Sequence, residues 1–127
     1  MWTIITNFSA LLPIGLLLKH QMHGFAAVFA ASAYYSCLYH QSCEMDFQWS
    51  DELFAVAVGT CYGFFTTEVL RRKGPTPLVY YSVLLMIAAL NTFVVACIWP
   101  QTYCLMHALW HLFANLSLFA MIAALVC

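Results

Sequence analysis

The sequence predicts an all-α protein, a single integral membrane bundle of about five transmembrane helices over residues 1–127. Of its residues, 65% are hydrophobic and only 7% are charged, whereas a soluble domain carries about 25% charged residues. A chain this short leaves much of its surface exposed, so that surface must itself be apolar. The apolar residues also form five runs, each near the roughly 20 residues that cross a bilayer.

Short polar or helix-breaking stretches separate the five runs. The predicted spans cover about residues 2–18, 23–41, 51–70, 77–99 and 104–126. The predicted separators are residues 19–21, 41–50, 71–75 and 99–101. The last two separators contain proline, which removes a backbone donor and favours a turn. No repeat or second domain is indicated.

The distribution of basic residues predicts an orientation in the membrane. Because spans alternate in direction, the first and third separators face the same side, and they hold all four basic residues: Lys19, Arg71, Arg72 and Lys73. By the positive-inside rule this side is cytoplasmic or matrix, which puts the N-terminus outside or lumenal and the C-terminus inside. Four basic residues form no stripe that could follow phosphates, so membrane lipids are expected as partners and nucleic acid is not.

Five polar residues fall at one depth in this topology. Ser36 and His40 are four residues apart near the outer end of the second span, and Asp51 opens the third. His107 and His111, again four apart, lie near the outer start of the last span. Residues at i and i+4 share one helical face. An aspartate at membrane depth costs about 2.5 to 3.5 kcal/mol on insertion scales and usually marks function.

This set of side chains indicates zinc chemistry. Three imidazoles suit a zinc ion with bonds of roughly 2.0 to 2.1 Å and leave a fourth position for water, whose pKa the metal lowers to about 7. We therefore predict that His40, His107 and His111 bind Zn²⁺. Asp51 is the predicted base that takes the proton of water, and Ser36 is predicted to orient the water or a substrate carbonyl.

Each of these residues also has a plainer interpretation. A histidine such as His40 can simply hydrogen-bond a neighbouring helix, and serine commonly joins membrane helices. The His107–His111 spacing arises by chance in helices. Asp51 can be a solvated residue at a helix N-terminus, where the macrodipole favours acids. The convergence of all five at one depth is what favours a metal site.

Several other residues carry structural predictions. Glu68 is spaced to pair with Arg71 and Arg72 along one helix, and Asn91 and Asn115 are expected to bridge helices. Cys43 and Cys104 fall on the same side of the membrane. A disulfide between these two cysteines is possible, but we do not expect it.

The pattern Ser-x-x-x-His, an Asp eleven residues after that His, and His-x-x-x-His in the last span resembles the CREST superfamily. The matching segments are SCLYH, WSDELF and HALWHLF. That superfamily includes alkaline ceramidases, the progestin and adiponectin receptors and the myomaker-like proteins, and the segment LLPIGLLLKHQMHGF is most similar to the myomaker-like branch. The resemblance implies a zinc ion held by three histidines, with Asp51 and Ser36 at its water.

The chain also departs from the pattern of that superfamily. Its members have seven transmembrane helices, and here a middle pair is missing. The loss of two helices keeps His107 and His111 on the same side of the membrane as in the superfamily. It also removes part of the wall of the lipid pocket that the resemblance implies. The acidic N-terminal motif associated with calcium in alkaline ceramidases is absent from MWTIITNFSALLP.

Two functions of different classes follow from the sequence. The first is a zinc-dependent membrane hydrolase acting on amide or ester bonds of lipids. The second is a non-enzymatic membrane protein, or a subunit packed against partner membrane proteins, that keeps the zinc as a structural metal or has lost it.

Overall fold

The computed structural model describes residues 2–42 and 45–127, and within these ranges all regular structure is helical, without any strand. Six α-helices follow one another: α1 (Trp2–Asn7), α2 (Leu11–Lys19), α3 (His23–Ser42), α4 (Met45–Lys73), α5 (Pro77–Ile98) and α6 (Tyr103–Val126). Short 3₁₀ turns at Phe8–Ala10 and Pro100–Thr102 precede α2 and α6. The predicted helical class is confirmed.

The first helical segment is interrupted between α1 and α2. Pro13 cannot donate a hydrogen bond to the carbonyl of Ser9, and its ring clashes with that group in a regular helix. The chain therefore tightens into the 3₁₀ turn Phe8–Ala10, a common solution near helix ends. The Ser9 hydroxyl donates to the carbonyl of Thr6 within this turn. The interruption aims the polar side chains around it into the bundle.

The chain reverses direction between α2 and α3 in a tight turn. Gln21 adopts a left-handed conformation with φ of 59°. The amide of Met22 donates to Leu17 O at 2.8 Å and that of Gln21 to Leu18 O at 3.0 Å. This pair of bonds is the Schellman motif, which satisfies the last carbonyl groups of a helix.

The connection between α3 and α4 is shorter than predicted. The sequence analysis placed a polar separator over residues 41–50, but α3 extends to Ser42 and α4 begins at Met45. No Gly or Pro interrupts this stretch, and polar residues alone do not end a helix. The third span was predicted from about residue 51, and the part of α4 that is apolar enough to cross a membrane is Trp49–Lys73. Cys43 and Glu44, and with Cys43 the bridge to Cys104, lie outside the described residues.

The turn between α4 and α5 follows the sequence signals. Gly74 has φ of 73°, a left-handed conformation that glycine adopts without steric cost, and its amide donates to Leu70 O at 3.1 Å. Thr76 then caps α5 by accepting from the amide of Val79. Pro77 occupies the first turn of α5, where its missing donor does no harm.

Three helices are long and apolar enough to cross a membrane: Trp49–Lys73, Pro77–Ile98 and Tyr103–Val126. The stretch Ile5–Lys19 is apolar but shorter. The structure is thus consistent with a membrane protein, and it supports three of the five predicted spans by length and composition.

Helix α6 is the centre of the bundle, since 39% of its membrane window is buried against 17% for α5 and 11% for Trp49–Lys73. It packs against α1, α2, α4 and α5, while α3 packs on α4 and on the first segment. The most tightly packed core includes Leu17, Phe65, Val69, Met121 and Ile122. We call the end of the bundle formed by Lys19–His23, Lys73–Pro77 and Val126 the basic end, and this core lies toward it.

Polar contacts at the basic end join α4 to α6. Lys73 Nζ donates to the carbonyl groups of Ala124 and Leu125, both at 3.0 Å, where a cation is favoured by the helix dipole. Glu68 pairs with Arg71 at 2.8 Å and with Arg72 at 2.9 Å. The predicted ion pairs are confirmed.

The two asparagines expected to bridge helices behave differently. Asn115 does so: its amide donates to Ser9 Oγ at 2.9 Å. Asn91 does not, because it lies on the exposed side of α5 and its side chain has no hydrogen-bond partner within residues 2–42 and 45–127. Helix α5 is apolar on all sides, so its sequence gave no signal for which face meets α6.

Adjacent leucines on α2 test the packing. Leu17 is 0% exposed and Leu18 is 49% exposed. Leu17→Ala should lower the free energy of unfolding in detergent by about 2 to 5 kcal/mol, because it leaves a cavity in the core. Leu18→Ala should cost less than about 1 kcal/mol, and equal effects would contradict this packing.

Candidate metal centre

Two helices present the histidines to one another at the end opposite the basic end. Ser36 and His40 share one face of α3, and His107 and His111 share one face of α6, because residues four apart in a helix lie on the same side. His40 lies within the last turn of α3, and His107 and His111 lie about one and two turns from the start of α6. We call the cluster of His40, His107 and His111 the histidine triad.

The ring nitrogens of the triad converge on one point. His40 Nε2 lies 3.0 Å from His107 Nε2 and 3.4 Å from His111 Nε2. One ligand atom of each ring lies within 4.8 Å of the others. The three histidines are therefore close enough to bind a single metal ion, as the sequence analysis predicted.

Two of the three nitrogen separations in the triad are close to those around a tetrahedral ion. Bonds of about 2.0 to 2.1 Å to imidazole nitrogens place those nitrogens about 3.3 to 3.4 Å apart. The separations of 3.0 and 3.4 Å around His40 Nε2 are close to this value. Each neutral imidazole has one acceptor nitrogen, and a cation is the partner that accepts three such lone pairs at once.

Aromatic side chains and burial shield the triad. His107 is 6% exposed and His111 is 8% exposed. The ring of Tyr103 stacks on that of His107 with centroids 5.0 Å apart. Trp110 lies against both rings, at 5.2 Å from His107 and 4.7 Å from His111. These contacts hold the imidazoles in place and keep the site poorly accessible to bulk water.

One nitrogen of the triad has no protein partner. His107 Nδ1 is buried and lacks a hydrogen bond to any described residue. A ligating imidazole usually donates its second N–H to a carboxylate, a carbonyl or a water. Because His107 Nε2 faces the other imidazoles, Nδ1 is the atom that carries the proton when a metal is bound.

A chain of polar contacts extends from the triad to α1. Ser36 Oγ lies 3.4 Å from His111 Nε2 and accepts a hydrogen bond from Asn7 Nδ2 at 3.1 Å. Asp51 lines the same cavity as Ser36. Because the Ser36 oxygen already accepts from Asn7, its single proton is free to point toward His111.

A cavity of about 240 Å³ lies next to these groups. At one end it is lined by Asn7, Ser36, Asp51 and His111. Away from them its wall is mostly apolar, with Phe29, Val58, Met86, Leu90 and Leu118 among the lining residues. The end of the cavity beside His111 is therefore polar, and the remainder, inside the bundle, is mostly apolar.

All five residues singled out from the sequence lie around this point. The triad and Ser36 are joined by the distances given above, and Asp51 lines the same cavity as Ser36 and His111. Asn7 is the residue that sequence reasoning missed. It is only 5% exposed and lies near the start of the first apolar run, at the depth of the other polar residues. Comparing depths across all predicted spans would have found it.

No protein-family model, curated protein or solved structure matches this chain. The chemistry of the site therefore has to be argued from its own residues.

Removing one ligand of the triad tests the metal centre. His107→Ala should reduce bound metal from one equivalent to background in elemental analysis of the purified protein, because two imidazoles hold an ion far more weakly than three. His23→Ala is the matched control, since His23 is exposed and starts α3 at the basic end. Equal metal content in the two variants would exclude the triad as the site.

Proposed function

We propose that the protein is a zinc-dependent membrane hydrolase that cleaves an amide or ester bond of a lipid. The observation that carries the proposal is that His111, one member of the histidine triad, and Asp51 line the same mainly apolar cavity. A hydrolase for an amphiphile needs these two features together: a polar reaction centre and an adjoining apolar pocket for the chain.

The number of protein ligands favours catalysis over a structural role. Structural zinc sites have four protein ligands, whereas catalytic sites have three and keep one position open. Among the described residues the candidate ligands are His40, His107 and His111. Zinc bound there would supply a Lewis acid that makes water a nucleophile near neutral pH.

Asp51 is the residue we assign to proton transfer. Its carboxylate takes a proton from the attacking water and returns it to the leaving amine or alcohol. Ser36 lines the cavity together with Asp51, and Asn7 fixes the Ser36 oxygen by donating to it at 3.1 Å. This arrangement places the base beside the polar groups before substrate binds, so little reorganisation is needed during the reaction.

The cavity is assigned to the apolar chain of the substrate. A cavity of about 150 Å³ already takes a benzene molecule, and the volume here is about 240 Å³. Tyr62 lines the cavity and its hydroxyl lies 3.0 Å from Ser82 Oγ, so the hydroxyl is paired rather than left in the apolar space. The substrate bond then lies beside His111 and Asp51.

We further propose that all five helical segments cross the membrane with the N-terminus outside or lumenal. The first segment, Trp2–Lys19, spans about 27 Å at 1.5 Å per residue, and α3, with 20 residues, spans about 30 Å. These lengths suit a hydrocarbon core of about 30 Å. The basic end then faces the cytoplasm or matrix.

A direct test uses the purified full chain in detergent micelles with fluorogenic fatty amides and esters. Turnover that requires one equivalent of zinc supports the proposal. Full zinc content without turnover on any of these substrates favours the alternative, a membrane subunit with a structural metal. A folded protein without metal excludes the hydrolase and favours a membrane subunit that has lost the metal.

The role of Asp51 gives a sharp prediction. Asp51→Asn should keep the zinc but lower kcat by about 10² to 10⁴, because it removes the base and preserves the shape. Glu52→Gln is the control, since Glu52 is exposed and does not line the cavity. Wild-type turnover in Asp51→Asn would refute the assignment.

Two glycines of α4 test the cavity. An added Cβ atom would meet no atom within 4 Å at either Gly59 or Gly63, but of these two only Gly59 lines the cavity. Gly59→Leu should fill the pocket and lower kcat/KM for long-chain substrates at least about tenfold, with unchanged zinc content. Gly63→Leu should leave both quantities unchanged. Equal activity of the two variants would show that the apolar chain of the substrate does not bind in this cavity.

A further inference from the structure

The unpaired amide of Asn91 is the starting point. Asn91 is exposed on α5, and its side chain has no hydrogen-bond partner in the described part of the chain. It lies seven residues before Ile98, the last residue of the helix, which places it about 10 Å inside the histidine end. At that depth in a bilayer no water is available to the amide. The protein alone leaves this group unsatisfied.

The residues around Asn91 form a regular stripe on α5. Starting from Tyr80, the stripe continues at alternating spacings of four and three residues. Asn91, which is exposed, stands between Ile87 and Val94 in this stripe. The other members and their exposed fractions are Tyr80 (61%), Leu84 (63%), Ile87 (50%), Val94 (51%) and Ile98 (59%). This spacing is that of positions a and d in two helices that pack side by side.

The stripe points away from the rest of the bundle. The residues that α5 buries are Val79, Ser82, Ala89 and Ala96. Ser82 Oγ donates to Ser117 O of α6 at 2.8 Å, and Ser117 Oγ donates to Ser82 O at 2.7 Å. At 100° per residue these positions lie on the opposite side of the helix from the stripe. The stripe is therefore available without disturbing any contact of the fold.

We propose that the stripe on α5 is the interface with a second copy of this chain, with the two Asn91 amides hydrogen-bonded to each other. Copies of one membrane protein insert in the same orientation, so a two-fold axis along the membrane normal brings identical residues to the same depth. A carboxamide is both donor and acceptor, and two of them satisfy each other. A single asparagine at an a position also fixes the register and number of helices.

A second copy fits better than a lipid or an unrelated helix. The amide lies below the headgroup level, so lipid offers it only hydrocarbon. An unrelated helix would need its own polar group at the matching depth, whereas a second copy brings one by construction. The interface lies on the far side of α5 from α6 and the histidine triad, so it is independent of the proposed hydrolase activity.

Energy transfer between donor- and acceptor-labelled full-length chains in phosphatidylcholine vesicles tests the proposal. Transfer should rise with the protein-to-lipid ratio as expected for a dimer. Asn91→Leu should weaken the association about tenfold, since it removes both interhelical hydrogen bonds. Asn91→Gln keeps the amide and should retain most of the association.

Thr67→Val is the matched control, because it also removes an exposed polar group from a membrane helix. Thr67 lies on α4 and its hydroxyl is paired with Gly63 O at 2.9 Å, so this variant should associate like the wild type. The proposal is overturned if the wild type remains monomeric at all ratios. It is also overturned if Asn91→Leu, with helical content and thermal unfolding intact, associates as strongly as Thr67→Val.

Discussion

A membrane interior offers polar side chains no water, and this constraint organises the structure. The imidazoles of α3 and α6, the carboxylate of α4 and the amide of α1 are each costly to bury without a partner. They become tolerable by meeting: Asn7 donates to Ser36, Ser36 contacts His111, His40 faces both other histidines, and Asp51 lines the cavity beside them. A cation at the triad would complete this arrangement, because it accepts lone pairs from three imidazole nitrogens at once.

The same constraint divides the bundle into two halves. Toward the basic end the helices pack through fully buried apolar residues such as Leu17, Phe65 and Met121, and Lys73 ties the ends of α4 and α6 together. Toward the histidine end the packing opens into the cavity of about 240 Å³. Rigid packing at one end thus supports a polar centre and an adjoining pocket at the other.

The level of a polar residue along the bundle could be predicted from the sequence. The direction in which that residue points from its helix could not. The histidine positions followed from the alternation of spans, because alternation alone puts His40 and His107 at the same level. The orientation of Asn91 could not be predicted, since α5 is apolar on every side. Asn7 was missed because its depth in the first predicted span was not compared with the depths of the histidines. The polar residues of 41–50 predict a connection between spans, but this stretch contains no glycine or proline that would end a helix, and α4 begins at Met45.

Zinc K-edge X-ray absorption of the purified full-length protein tests the central claim most directly, since it reports the ligands of the ion itself. The account predicts one zinc per chain with nitrogen or oxygen ligands at about 2.0 to 2.1 Å and outer-shell scattering from three imidazoles. Sulfur scattering at about 2.3 Å, or a folded protein that takes up no metal, would contradict it.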